Sequence, residues 1–178
     1  TPCPVLVSAT YGWLWILRRR VCTVSWKKIC CPVDFSREAR IAMEEAAYLA
    51  WRFDGNVTLV HVNELPVPPA ATEMLVPPET FVLAAVELDR KLNLWRDEAE
   101  QIAGTSVDVA LLSGAPAVEI ARFAREGRHD VIVMGTRGEK EGEHLGLGSV
   151  AQAVVREAPC TVVVVRRGPS PPPPVGPS

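Results

Sequence analysis

Residues 130–150 read DVIVMGTRGEKEGEHLGLGSV, and this stretch joins a strand pattern, a glycine-rich segment and a helix pattern. Residues 130–134 form a short apolar run of the kind that predicts a strand buried on both faces of a sheet. Five of the 12 glycines of the chain follow between Gly135 and Gly148. The pattern of Ser149–Glu157 then predicts a helix. A strand that leads through glycines into a helix is typical of an α/β fold.

The same alternation of strand and helix patterns runs through most of the chain. Apolar residues recur at intervals of three and four in Arg37–Phe53, which predicts a helix with one face on a sheet, and Ser36 can cap its start. Strands that alternate with helices of this length indicate a Rossmann-like, open parallel sheet of five strands with helices on both faces. The other predicted strands are residues 29–33, 56–62, 105–112 and 161–165, and the other predicted helices are residues 79–103 and 116–127.

The composition of the chain is that of a single domain with a small net charge. The 178 residues carry a formal charge of −2, and the sequence pI is about 5.9. This balance argues against a basic surface for nucleic acid and against electrostatic attraction to a membrane. The uncharged residues 1–17 are interrupted by proline, serine and glycine, which leaves an apolar run too short for a span of about 20 residues. We therefore expect neither a nucleic-acid partner nor a membrane partner.

The cysteines and histidines lack the spacing of a metal site or of a disulfide framework. Three of the five cysteines lie inside apolar runs, which favours small buried side chains. His61, His129 and His144 are scattered along the chain. Such a chain suits a reducing compartment, so we expect a cytoplasmic location and no metal site built from side chains.

The glycine-rich segment has the features of a phosphate-binding loop. Gly135 and Gly138 are followed by nine residues and then by Gly148 and Ser149. Glycines let backbone N–H groups close around an anion, and a helix that begins at Ser149 adds its own N–H groups and the positive end of its dipole. The spacing matches neither a P-loop nor a dinucleotide-binding fingerprint. Asp34 follows the first predicted strand of the domain and therefore meets the same edge of the sheet.

The spacing of Gly135, Gly138, Gly148 and Ser149 resembles that of the universal stress protein family. The ATP-binding members of this family carry Gly, two residues, Gly, nine residues, Gly and then Ser or Thr. The resemblance extends over about residues 28–166 and implies a fold like that of the adenine nucleotide alpha hydrolases. The segments that carry it are CPVDFS at 31–36, LVHV at 59–62, SGAPAVEI at 113–120, DVIVMGTRG at 130–138 and APCTVVVV at 158–165.

The resemblance implies an adenine nucleotide, ATP with or without Mg²⁺, that lies across the carboxyl ends of the strands. Asp34 would contact the adenine and ribose, and Val62 would line the base. It implies no catalytic residue and at most slow ATP hydrolysis. The implied nucleotide-binding residues are Pro32, Val33, Asp34, Val62, Met134, Gly135, Arg137, Gly138, Gly148, Ser149 and Val150.

Two functions remain open at this point. One is an ATP-binding regulatory domain that acts in stress response through dimerisation or partner binding. Residues 139–147 carry three Glu against one Lys, and carboxylates within a Debye length of a triphosphate weaken its binding. The alternative is therefore a dimerisation scaffold of the same fold that binds no nucleotide. A hydrolase of the related class is not favoured, because the first strand leads into Pro-Val-Asp-Phe-Ser rather than a Ser-Gly-Gly loop.

The two ends of the chain carry related segments. Residues 1–8, TPCPVLVS, match residues 158–165, APCTVVVV, at four of eight positions. Since this segment resembles the last strand of the family's domain, residues 1–8 are predicted to be an extra strand from a preceding domain, 9–27 a linker, 28–166 the domain and 167–178 a disordered proline-rich tail. The resemblance also implies a homodimer through the edge from Val162 to Val165. Because a bare valine edge needs covering, residues 1–8 could fill that place in the same chain or in a partner.

Overall fold

The computed structural model describes residues 5–9, 25–64, 78–138 and 146–166, which form six strands and four helices in the predicted order. The strands are β1 (Val5–Ala9), β2 (Lys28–Pro32), β3 (Asn56–Asn63), β4 (Asp108–Ser113), β5 (Val131–Gly135) and β6 (Thr161–Arg166). The helices are α1 (Arg37–Phe53), α2 (Pro78–Ala103), α3 (Pro116–Glu126) and α4 (Ser149–Glu157).

The strands form one parallel sheet in the order β1-β6-β5-β2-β3-β4. Strands β2 to β6 are the predicted five-stranded sheet, and β1 adds a sixth strand at one side. Met43 of α1 and Leu92 of α2 belong to the core on one face of the sheet, whereas Ile120 of α3 and Val154 of α4 belong to the core on the other. The predicted α/β fold with helices on both faces is confirmed.

The order in which the chain adds strands to the sheet changes side between β2 and β5, although all the strands run parallel. From β2 the chain moves to β3 and β4 on one side, and it then returns to β5 on the other side of β2. The helices that follow β2 and β5 lie on opposite faces. Their loops therefore diverge and open a crevice at the carboxyl ends of the two strands, where ligands of open α/β sheets bind.

Helix α1 holds the loop that follows β2. Its N-cap is Ser36, whose Oγ accepts a hydrogen bond from the backbone N–H of Ala39 at 3.1 Å. Asp54 ends the helix with a φ of 50°. Most of the residues on the buried face are alanines, which lets the helix approach the sheet closely. This face consists of Ala39, Ala42, Met43, Ala46, Ala47 and Ala50.

Strand β4 begins at Asp108, later than the start at residue 105 that alternation predicted. Gly104, with a φ of 68°, donates its N–H to the carbonyl of Glu100 at 2.9 Å and ends α2. The Glu100 carboxylate then accepts the N–H of Val107 at 3.0 Å. Residues 104–107 therefore form the turn between α2 and β4, and the N–H of Val107 binds a side chain of α2 instead of a neighbouring strand.

Strand β6 is not the edge strand that the sequence predicted. It pairs with β5 on one side and with β1 on the other, where Val5–Ala9 lies in parallel register with residues 162–166. Because both sides of the β6 backbone are paired in the chain, a homodimer through the edge from Val162 to Val165 would require the release of β1, and that dimer stays a prediction. The origin of residues 1–8 in a preceding domain stays a prediction. Residues 1–4 and 10–24 and the predicted tail at 167–178 lie outside the described residues.

A disulfide between β1 and β6 tests this pairing. Val7 lies opposite Val164, and neighbouring strands are about 4.8 Å apart, which is within the Cα separation of a disulfide. We expect the Val7→Cys/Val164→Cys variant to form an intrachain disulfide on oxidation, found by peptide mapping in a protein of monomer mass. The single Val164→Cys variant is the control for native thiols. A covalent dimer linked between residues 7 and 164 would show that β1 belongs to another copy.

Two of the described cysteines are fully buried free thiols. Cys30 and Cys31 lie in β2 without exposed surface. Burial raises the pKa of the Cys31 thiol to about 12 and also raises the pKa of Cys30, so neither forms a reactive thiolate near neutral pH. Within the described ranges, the His, Cys, Asp and Glu side chains form no group of three that could hold a metal ion. No helix there is long and apolar enough to cross a membrane.

Candidate functional site

A cavity of about 360 Å³ opens at the carboxyl ends of β2, β3 and β5. Its size falls in the range of small-molecule sites. All eleven residues selected from the sequence line it, although they come from four separate segments of the chain. They are Pro32, Val33, Asp34, Val62, Met134, Gly135, Arg137, Gly138, Gly148, Ser149 and Val150.

The cavity also contains residues that the sequence analysis did not select. Asn63 and Glu64 lie at the end of β3 and directly after it, where polar residues succeed an apolar strand. Their position at this edge of the sheet could have indicated them. Others come from the start of α3, which approaches the cavity only in the folded chain. These additional lining residues are Ala39, Val60, His61, Asn63, Glu64, Pro116, Ile120 and Ala151.

Asp34 contacts both the loop after β2 and the loop after β5. Its Oδ1 accepts a hydrogen bond from the backbone N–H of Ser36 at 3.1 Å. Its Oδ2 lies so close to Gly138 that a Cβ atom at that glycine would be 2.5 Å away. Glycine at position 138 therefore makes room for the carboxylate, and the two loops meet across the crevice between β2 and β5.

The glycine loop, defined here as residues 135–149, has hydrogen bonds that join its two ends. The N–H of Gly148 donates to the carbonyl of Thr136 at 2.7 Å. Arg137 Nε donates to the carbonyl of Gly146 at 3.1 Å. The described ends of the loop are thus held together at the start of α4. Residues 139–145 lie outside the described residues, so the effect of the three loop glutamates on anion binding stays a prediction.

Two helices begin at the cavity. Helix α4 has Gly148 as its N-cap, and α3 has Ala115 with Pro116 in its first turn, and neither cap supplies a side-chain hydrogen bond. The first N–H groups of a helix lack intrahelical partners and, together with the helix dipole, favour an anion. Ser149 at the start of α4 and Pro116 at the start of α3 both line the cavity. The side of the cavity near α4 is thus suited to a phosphate.

The side of the cavity near β2 and β3 is mainly apolar. Val33 and Met134 are almost fully buried, and Pro32 and Val62 are half-buried. Asp34, Glu64 and Arg137 supply the charged groups of the described lining. A flat apolar group therefore fits near β2 and β3, while hydrogen-bonding and cationic groups lie toward the glycine loop. This arrangement can bind an elongated ligand with an apolar end and an anionic end.

Comparison with known proteins identifies the family. A family model described as the universal stress protein family matches residues 25–166. A universal stress protein of Methanocaldococcus jannaschii is 33% identical over 146 residues, which are 80% of this chain and 83% of that protein.

Solved structures agree with the observed fold. The structure of a universal stress protein from Lactobacillus plantarum has a TM-score of 0.69 at 26% identity, with 79% of this chain and 98% of that chain covered. A universal stress protein from Archaeoglobus fulgidus in complex with dAMP has a TM-score of 0.56, with 80% and 99% covered. At 23% identity, the second likeness shows the fold alone. From the family model and the relative in M. jannaschii, we conclude that the chain belongs to the universal stress protein family.

Proposed function

We propose that this chain is an ATP-binding regulatory domain that acts in stress response, in the cytoplasm, by binding a partner in a nucleotide-dependent manner. The observation that carries the proposal is the convergence of the eleven predicted residues on one cavity. A relative of the same fold from A. fulgidus was solved with dAMP, which shares the adenine base with ATP. The buried free thiols of Cys30 and Cys31 fit a reducing compartment.

The chemistry of the cavity suggests the orientation of the nucleotide. The adenine fits among Pro32, Val33 and Val62, because a base gains from contact with apolar side chains. The Asp34 carboxylate can accept a hydrogen bond from the amino group of the base or from a ribose hydroxyl. The phosphates fit the N-terminus of α4, where backbone N–H groups and the Ser149 hydroxyl can donate.

A magnesium ion would be held mainly by the phosphates and by water. Mg²⁺ usually keeps several waters and binds through substrate phosphates with one or two carboxylates. Mg²⁺ would also reduce the repulsion between the phosphates and the glutamates at 139, 141 and 143.

Calorimetric titration and thermal unfolding with ATP test the proposal. We expect ATP to bind, and at one hundred times its Kd to stabilise the folded state by about 2.7 kcal/mol. GTP should bind more weakly, because guanine has a carbonyl oxygen at the position of the adenine 6-amino group and would place an acceptor against the Asp34 carboxylate, and EDTA should weaken ATP binding. No heat of binding and an unchanged melting temperature at millimolar Mg²⁺-ATP would rule out the proposal.

That negative result would favour the alternative of a scaffold that binds no nucleotide. The observation in its favour is the acidic character of residues 139–147. Such a scaffold would associate with itself or with other proteins equally in the presence and absence of ATP. In the observed arrangement, β1 occupies the side of β6 that was predicted to dimerise, so self-association would need another surface or the release of β1.

A further inference from the structure

Phe35 has a backbone conformation that is rare for phenylalanine. Its φ is 64°, in the left-handed region where a bulky side chain is strained. It lies between Asp34 of the cavity and Ser36, the N-cap of α1. Strain of this kind persists only where surrounding contacts enforce it, and it is concentrated at functional sites. The contacts of Phe35 therefore indicate what holds Asp34 in place.

The ring of Phe35 packs between two other rings. Its centroid is 5.0 Å from the centroid of His61 and 5.3 Å from that of Trp95, and the Trp95 ring is nearly perpendicular to it at 78°. Lys91 Nζ lies 5.7 Å from the Phe35 centroid. These are favourable separations for aromatic pairs and for a cation over a ring. Because Trp95 and Lys91 belong to α2, that helix helps to keep Phe35 in its strained conformation.

The backbone on the other side of Asp34 is also fixed. A hydrogen bond of 2.8 Å joins His61 Nδ1 to the carbonyl of Val33, and the N–H of Val33 donates to the carbonyl of Val60 at 2.8 Å. His61 therefore holds Val33 by a hydrogen bond and Phe35 by ring packing. Asp34 lies between these two fixed residues, so its backbone is held in place at the edge of the cavity.

We propose that Phe35, His61 and Trp95 form an aromatic clamp that positions the Asp34 carboxylate for a nucleotide and makes nucleotide affinity depend on the docking of α2. Neither Phe35 nor Trp95 is among the described lining residues of the cavity, so both act through Asp34 as positioning residues. The clamp connects α2, on the surface of the domain, to the crevice between β2 and β5. The test of the clamp by nucleotide affinity rests on the proposed function. The test by amide exchange at Ser36, in the segment that follows Asp34, does not.

The Trp95→Ala variant tests the clamp through affinity. We expect it to raise the Kd for Mg²⁺-ATP about 3- to 10-fold, the range that corresponds to loss of one aromatic pair. Trp95→Phe should restore most of the affinity, because a ring remains against Phe35. The matched control is Trp51→Ala on α1, whose ring is 60% exposed and packs on Tyr48 at 5.8 Å. Equal Kd values for the wild type, Trp95→Ala and Trp51→Ala would overturn the coupling.

Amide hydrogen exchange tests the clamp without nucleotide. The N–H of Ser36 donates to Asp34, so release of the Asp34 loop should expose this amide. We expect Trp95→Ala to speed exchange at Ser36 at least about tenfold, with no comparable change at Met43 in the middle of α1. An unchanged rate at Ser36 would overturn the clamp. If the wild type binds no ATP, the proposed function fails, and the exchange rates still decide whether the clamp exists.

Discussion

The Gly138→Ala variant is expected to lose ATP binding while the domain stays folded. A Cβ at position 138 would lie 2.5 Å from Asp34 Oδ2, a separation that real atoms do not tolerate. The atom in conflict is the end of a side chain, so the Asp34 carboxylate can rotate away without a shift of the backbone. This rotation would relieve the steric conflict, but it would move the carboxylate away from the adenine and ribose that it is proposed to contact. Loss of the charge-assisted hydrogen bonds that the nucleotide would donate to Asp34 should raise the Kd about 100-fold.

Another glycine of the same loop provides the matched control. Apart from its chain neighbours, no atom of the described residues lies within 4 Å of a Cβ at Gly146, so Gly146→Ala makes the same chemical change without a steric conflict there. We expect Gly146→Ala to bind ATP as the wild type does, with Kd measured by calorimetry and folding checked by urea unfolding. If Gly138→Ala bound ATP with the Kd of the wild type, the Asp34 carboxylate would not be a nucleotide contact in its observed position.

Local patterns predicted the fold because each element carries its own signals. The Ser36 cap, the alanine face of α1 and the proline in the first turn of α3 are all set by residues within a few positions of each other. The glycine loop was predictable for the same reason, since its spacing and its place between β5 and α4 are local. Those signals, together with the family resemblance, selected residues that now lie around one cavity.

The sequence could not predict features that depend on distant contacts. The φ of Phe35 is maintained by Trp95, which is 60 positions later in the chain and belongs to a helix on the surface. In the structure, β1 of the same chain pairs with β6. The sequence predicted only that residues 1–8 could cover β6 in the same chain or in a partner, because the pattern of an edge strand does not determine which strand pairs with it. Pro116 entered the cavity because α3 returns beside β3, which no local pattern indicates.

The Gly135→Val variant is expected to destabilise the whole domain. A Cβ at position 135 would lie 2.9 Å from the backbone carbonyl carbon of Glu38 and 3.0 Å from its oxygen. These atoms belong to the first turn of α1, which is fixed by the Ser36 cap and by its buried alanines, so they cannot rotate away as a carboxylate can. The added methyl groups must therefore push α1 from β5. Overpacking of this kind should lower the free energy of unfolding by about 3 kcal/mol.

Urea unfolding and ATP titration together separate the roles of the two glycines. With a slope of about 2 kcal/mol per molar urea, Gly135→Val should lower the unfolding midpoint by about 1.5 M, whereas Gly138→Ala should leave it unchanged. Displacement of α1 also moves Ser36 and with it Asp34, so Gly135→Val should weaken ATP binding as well. An unfolding midpoint for Gly135→Val equal to that of the wild type would mean that α1 does not pack on β5 as closely as observed. A Cβ at position 135 would meet backbone atoms, whereas a Cβ at position 138 would meet a side chain. Gly135→Val should therefore lose both stability and ATP binding, and Gly138→Ala should lose ATP binding alone.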